Sequence, residues 1–96
     1  MDISYNCGVD DKGFKDCNKI QILNVSDNPK IKDVNHLRYS LIYLDICGCC
    51  GVDDKGFEYC NKIKILNVRN NPKIKNWIII IYFLNYKCYT NYVKIF

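Results

Sequence analysis

Four cysteines, Cys47, Cys49, Cys50 and Cys60, are the residues whose type best suits metal chemistry in this chain. Thiolates hold zinc when they come as C-x₂₋₄-C pairs, with a second pair at a distance. C-x-C-C followed by a single cysteine ten residues on is not that spacing. Alternation along a strand would also send Cys47 and Cys49 to one face and Cys50 beyond the following corner. Paired carboxylates occur at Asp10-Asp11 and Asp53-Asp54, a pattern that can move protons or hold a cation. Both pairs occupy the same place in a repeated segment, which points to a turn or a helix start. His36 is the single histidine and is expected to be solvated beside Leu37, with no triad to join. The five glycines form no phosphate-cradling loop. These residues assign no catalytic group, no metal and no cofactor, and the chain is expected to be non-enzymatic.

The elements that position these side chains are set by an internal repeat. CGVDDKGFKDCNKIQILNVSDNPKIK at 7–32 returns 43 positions later as CGVDDKGFEYCNKIKILNVRNNPKIK at 50–75, with 21 of 26 residues identical. Such self-similarity marks a chain that stacks one unit on the next. A shorter pattern runs inside it. Ile20, Leu23, Val25 and Asn28 stand at offsets 0, 3, 5 and 8, as do Leu41, Leu44, Ile46 and Cys49, and Ile63, Leu66, Val68 and Asn71. The units are therefore 21 and 22 residues long, and the chain opens inside an earlier one.

A strand is expected at each L-x-L core, with Leu23 and Val25 inward and Asn24 outward. A short polar side chain is wanted at the corner that follows, to satisfy buried backbone groups. Asn6, Asn28 and Asn71 suit that role, with Cys49 as a weaker substitute. Two return paths alternate after the corner. In one, Val9, Phe14 and Cys17 face inward, as do Val52, Phe57 and Cys60, and the acidic pair precedes a short helix or 3₁₀ turn. In the other, Ile31, Val34 and Leu37 keep a three-residue spacing that suits a 3₁₀ turn, and Pro29 and Pro72 set the turn after the asparagine.

LDICGCCGVDDKGFEYC at 44–60 resembles the cysteine-containing leucine-rich repeats of F-box adaptor proteins. LNVSDNPKIKDVNHL at 23–37 resembles the short repeats of bacterial surface proteins and phosphatase regulators. Their alternation is similar to the leucine-rich-repeat proteins of giant DNA viruses of amoebae. The resemblance covers residues 1 to about 76. It implies an α/β solenoid: a short horseshoe with parallel strands on the concave side and short helical, 3₁₀ or loop returns on the convex side. It also implies a protein-binding surface and a viral protein.

Composition is compatible with that reading. A net charge of +4 spread along the chain, with no basic run, gives no indication of a nucleic-acid partner. Alanine is absent, and twelve lysines stand beside two arginines, the mark of an A/T-rich genome. The first residues carry neither an apolar nor a basic leader region, so an intracellular setting (host cytoplasm, if viral) with free thiols is expected for the seven cysteines.

From Trp77 the pattern decays into WIIIIYFLNYKCYTNYVKIF. Asn85 and Lys87 interrupt the apolar run too early for a membrane span. Domains are therefore read as a 1–76 solenoid of about three and a half units and a 77–96 apolar, degenerate tail. Lys87 falls at the 43-residue image of Leu44, so the fourth strand is expected to be damaged or shifted. The apolar stretch at 77–84 is expected to promote self-association, and exposed end units leave end-to-end self-association open.

The binding face is expected on the outward strand positions Ser4, Ile22, Asn24, Ser26, Tyr43, Asp45, Cys47, Ile65, Asn67 and Arg69. Asp2, Asn24, Asp45 and Asn67 would form a polar stripe there, with Tyr43 and Ile65 as apolar contacts. The primary expectation is an interaction module with a protein partner. Two alternatives remain: a substrate-recognition remnant of an F-box-type ubiquitin-ligase adaptor, and a decayed gene fragment without function.

Overall fold

The computed structural model describes residues 1–5, 8–75 and 87–89. Its elements are short: helix α1 (Asp11–Phe14), strand β1 (Ile22–Asn24), a 3₁₀ turn at Asn35–Leu37, β2 (Tyr43–Asp45), a 3₁₀ turn at Asp54–Phe57, β3 (Ile65–Asn67) and β4 (Lys87–Tyr89). The strands form one parallel sheet in the order β1-β2-β3-β4. Residues 1–3 extend it by one step, through a parallel bridge from Asp2 to Asn24. Between β1 and β2, and between β2 and β3, the chain leaves the sheet, turns a corner and returns on the far side.

Register explains the sequence pattern. Leu23 pairs with Leu44 and Leu44 with Leu66, and all three are fully buried. Val25, Ile46 and Val68 are buried beside them, closed from the return side by Phe14, Leu37 and Phe57. Ile31, Val34, Val52 and Cys60 are buried as their inward spacing requires, whereas Val9 and Cys17 are half-buried in the outermost turn. Each strand is only three residues long, so stability comes from this contiguous core and not from any single element.

The 43-residue identity conceals two kinds of contact between successive turns. Where an N-P-K-I-K turn follows a G-V-D-D-K-G-F turn, asparagine reaches back. Asn28 Nδ2 donates to the carbonyls of Ile3 (2.8 Å) and Val9 (3.3 Å). Asn71 Nδ2 does the same to Ile46 (2.7 Å) and Val52 (3.1 Å). The second acid of each pair braces the same contact from the other side: Asp11 accepts from the Lys32 amide and Asp54 from the Lys75 amide. The first acid caps its own helical turn, Asp10 through Gly13 N–H and Asp53 through Lys55 and Gly56 N–H. The paired acids therefore do structural work at a helix start, as their recurrence suggested.

Where a G-V-D-D-K-G-F turn follows an N-P-K-I-K turn, glycine lets the backbones touch. A Cβ on Gly51 would lie 2.5 Å from the carbonyl oxygens of Pro29 and Ile31, and one on Gly56 would overlap the Lys32 carbonyl. The Gly51 amide donates to Asn28 O (3.0 Å), and the Val34 amide to Gly56 O (2.7 Å). Asn35 locks the far side, donating to Lys55 O and accepting from the Tyr59 amide.

Two expectations are corrected. Cys49 does not fill the corner: it is exposed, and Cys50 is buried in its place, its sulfur accepting the Val52 amide at 3.5 Å. Asn28 and Asn71 accept the amides of Lys30 and Lys73 in the same way, two residues on. The chain takes one residue more to turn this corner, so the inward position moves from 49 to 50. His36 is not simply solvated: it packs edge-to-face on Phe14 (centroids 4.8 Å apart), with Nε2 buried and without a hydrogen-bond partner. The fourth strand is shifted, one of the two outcomes expected of it: Lys87 pairs with Ile65 and Cys88 with Leu66, a step of 22 residues. Lysine thereby leaves the register position of the leucine column, where burial would be costly.

The expected corner role of Asn6 and the readings of 77–86 and 90–96, including self-association through 77–84, lie outside the described residues. Among the described residues no helix is long and apolar enough to cross a membrane.

Candidate functional site

Strand alternation leaves one side of the sheet uncovered by the core, and register arranges its residues in rows. Ile22, Tyr43 and Ile65 pair in sequence along the sheet and form an apolar row. Ile22 is 62% exposed, the most open of the three, while Tyr43 and Ile65 are half-buried. Beside them run Asp2, Asn24, Asp45 and Asn67. A third row holds Ser4, Ser26, Cys47 and Arg69, linked by amides that donate across it: Tyr5 to Ser26 O, Asp27 to Cys47 O and Gly48 to Arg69 O. All ten residues expected on the outward face lie there, half-buried or exposed.

The polar row has a structural duty that alternation alone does not reveal. Each member folds one side-chain oxygen onto the amide two residues on: Asp2 onto Ser4, Asn24 onto Ser26, Asp45 onto Cys47 and Asn67 onto Arg69. These Asx bonds satisfy amides as the chain leaves the strand. Half of each polar head is thus already engaged. The other half alternates along the row as carboxylate oxygen, amide nitrogen, carboxylate oxygen, amide nitrogen, presenting acceptors and donors in turn.

Electrostatics on this face shift two of its groups. The Asp2 carboxyl lies below its ordinary value, because the Ser4 hydroxyl and then the Ser4 amide bond its ionised form. Burial, reinforced by the hydrogen bond and negative charge of Asp45, pushes the Cys47 thiol up to about 12. Burial likewise raises Cys50 to about 11 and Cys60 to about 12. These three thiols stay protonated at neutral pH and are poor nucleophiles and poor metal ligands. The four cysteines considered for a metal site are also kept apart in role. Cys47 is on the outward face, Cys49 is exposed in the turn, and Cys50 is inside the corner. Cys60 is buried on the return side, its sulfur 3.5 Å from Val34 O. Among the described residues no three His, Cys, Asp or Glu side chains come together as a metal site.

Sequence reasoning missed the exposed aromatics of the rim and return side, Tyr5, Tyr39 and Tyr59. Tyr39 carries the Arg38 guanidinium over its ring at 4.7 Å. Their signal was faint: outward positions of returns follow no period as strict as a strand's. An open groove on the return side is lined by Asp53, Asp54, Lys55, Pro72, Lys73 and Lys75. It brings both charge signs together. Comparison of the chain with protein-family models, with curated proteins and with solved structures finds no match.

Proposed function

We propose that this chain is a leucine-rich-repeat-type solenoid and a non-enzymatic protein-interaction module, binding a protein partner through the outward face of its sheet. The observation that carries this reading is the pair of adjacent rows on that face, Ile22-Tyr43-Ile65 beside Asp2-Asn24-Asp45-Asn67. A partly apolar strip next to alternating donors and acceptors suits a protein surface, where aromatic anchors give affinity and polar pairs fix orientation. Four parallel strands with the Leu23-Leu44-Leu66 register support the solenoid. High thiol pKa values support a binding role over a nucleophilic one.

The test compares the wild-type chain with Tyr43→Ala/Arg69→Glu as immobilised bait. Neither side chain is in the core, so the circular-dichroism melt is expected to be nearly unchanged. A partner held by the wild type should be lost by the variant. Equal capture by both would refute the outward face as the binding surface.

A further inference from the structure

Positive charge that is scattered along the sequence is gathered by the fold. Segments 15–21, 38–42 and 58–64 lead from the returns into β1, β2 and β3, and they lie side by side. The Ile42 amide donates to Gln21 O (2.8 Å) and the Lys64 amide to Ile42 O (2.8 Å). The Ser40 hydroxyl donates to Ile20 O (2.8 Å). These bonds make one rim of the three segments. Lys15, Lys19, Arg38, Lys62 and Lys64 stand on it against Asp16 and Glu58, a net +3. The four lysines are exposed, and among the described residues none of the five cations forms an ion pair. No two of them are neighbours in sequence, so the patch comes from the adjacency of turns and not from a basic run. The outward sheet face has the opposite balance, Asp2 and Asp45 against Arg69.

The same rim is aromatic. Tyr39 and Tyr59 are 71% and 62% exposed, and Asn35 ties their two segments together. Its carbonyl accepts from the Arg38 amide and from Arg38 Nη1 (both 3.1 Å), and its Oδ1 accepts the Tyr59 amide (2.9 Å). Arg38, held in this way, lies over the Tyr39 ring, 4.7 Å from its centroid, and still leaves most of that tyrosine open. An arginine-stacked ring and a second open ring, among cations without carboxylate partners, suit a ligand that carries flat π-faces along a chain of negative charges.

We propose that this rim binds single-stranded nucleic acid, with phosphates along Lys15, Lys19, Lys62 and Lys64 and bases stacked on Tyr39 and Tyr59. A duplex hides its base faces and is read by an element that enters a groove, and no described helix or 3₁₀ turn exceeds four residues. An acidic peptide would match the charge but leave both tyrosines without a stacking partner. This inference concerns a different surface from the sheet face and does not depend on the partner proposed above.

The test is fluorescence anisotropy of end-labelled oligo(U) and oligo(dT) of about 15 nucleotides, titrated with the full chain in about 50 mM salt. Saturable binding of at least one is expected, and the tighter of the two identifies RNA or DNA as the ligand. The log–log dependence of affinity on salt should have a slope of about −3, the value for four phosphates neutralised on a single strand. Tyr39→Ala/Tyr59→Ala should weaken binding by about tenfold or more and keep that slope. Lys19→Gln/Lys62→Gln should instead reduce the slope by about 1.4. All four side chains are exposed, so both variants should keep the wild-type circular-dichroism melt. A duplex of the same length and a polyglutamate peptide of the same charge should bind at least about tenfold more weakly. Absence of binding at low salt overturns the proposal, as does a tyrosine variant that binds like the wild type. So does a duplex or polyglutamate held as tightly as the single strands.

Discussion

Asn28 is fully buried and, by its contacts, should be among the least replaceable residues in the chain. Among the described residues its side chain makes three hydrogen bonds to backbone: to Ile3 O at 2.8 Å, to Val9 O at 3.3 Å and from Lys30 N at 3.0 Å. Asn28→Ala removes all three and leaves their backbone partners behind. Each unsatisfied buried group costs roughly 1–3 kcal/mol, and less where water reaches it. The Ile3 contact is buried and the other two are partly buried. The expected loss is therefore about 3–4 kcal/mol. A domain of this size has only about 5–15 kcal/mol in total. With a urea slope of roughly 1–3 kcal/mol/M, the unfolding midpoint should fall by about 2 M. Asn28→Asp separates acceptor from donor. It keeps the oxygen facing Lys30 but places a carboxylate against two carbonyls, which raises its folded-state pKa above the unfolded value. The folded state then binds the proton more tightly, so this variant alone should gain stability as pH falls through that raised pKa. Equilibrium urea unfolding by circular dichroism measures both effects. A loss below about 0.5 kcal/mol for Asn28→Ala would refute the claim that asparagine fastens one turn to the next.

Other consequences are as direct. Gly56→Ala should destabilise by about 1–3 kcal/mol, because the new methyl overlaps Lys32 O and lies 2.8 Å from Val52 Cγ1, whereas Gly13→Ala should be neutral or mildly stabilising in the same melt. Leu44→Ala, in the middle of the leucine column, should cost about 3–4 kcal/mol of unfolding free energy in urea. Tyr5 has φ 61 at a position where Asp27, Gly48 and Asn70 also take positive values. Tyr5→Asn should therefore raise stability by about 0.5–1 kcal/mol in the same titration. Peptide mapping after brief maleimide treatment near neutral pH should find Cys49 labelled before Cys47, Cys50 and Cys60. Since the folded state holds these three protons to about 11–12 against an ordinary 9.0, unfolding releases them and stability should fall as pH rises past about 9. A flat melting temperature from pH 8 to 11 would contradict that assignment.

What the sequence determined by itself was whatever follows from a period. A 21- or 22-residue spacing of Leu23, Leu44 and Leu66 leaves one economical arrangement, parallel strands with those leucines in register, because alternation sends every second side chain to the same face. The ten outward positions followed from the same rule, and so did the role of the acidic pairs at helix starts. Tertiary structure decided whatever depends on where a turn lies relative to its neighbour. One extra residue at a corner exchanged Cys49 for Cys50, a change invisible in a pattern that counts positions along the chain. That the fourth strand would be damaged or shifted was legible in the sequence; which of the two, with Cys88 in register with Leu66, was decided by the fold. Identical glycines acquired different meanings because Gly51 and Gly56 have a turn packed against them and, among the described residues, Gly8 and Gly13 do not. Local spacing can specify which face a residue takes; only the assembled neighbours specify what that face touches.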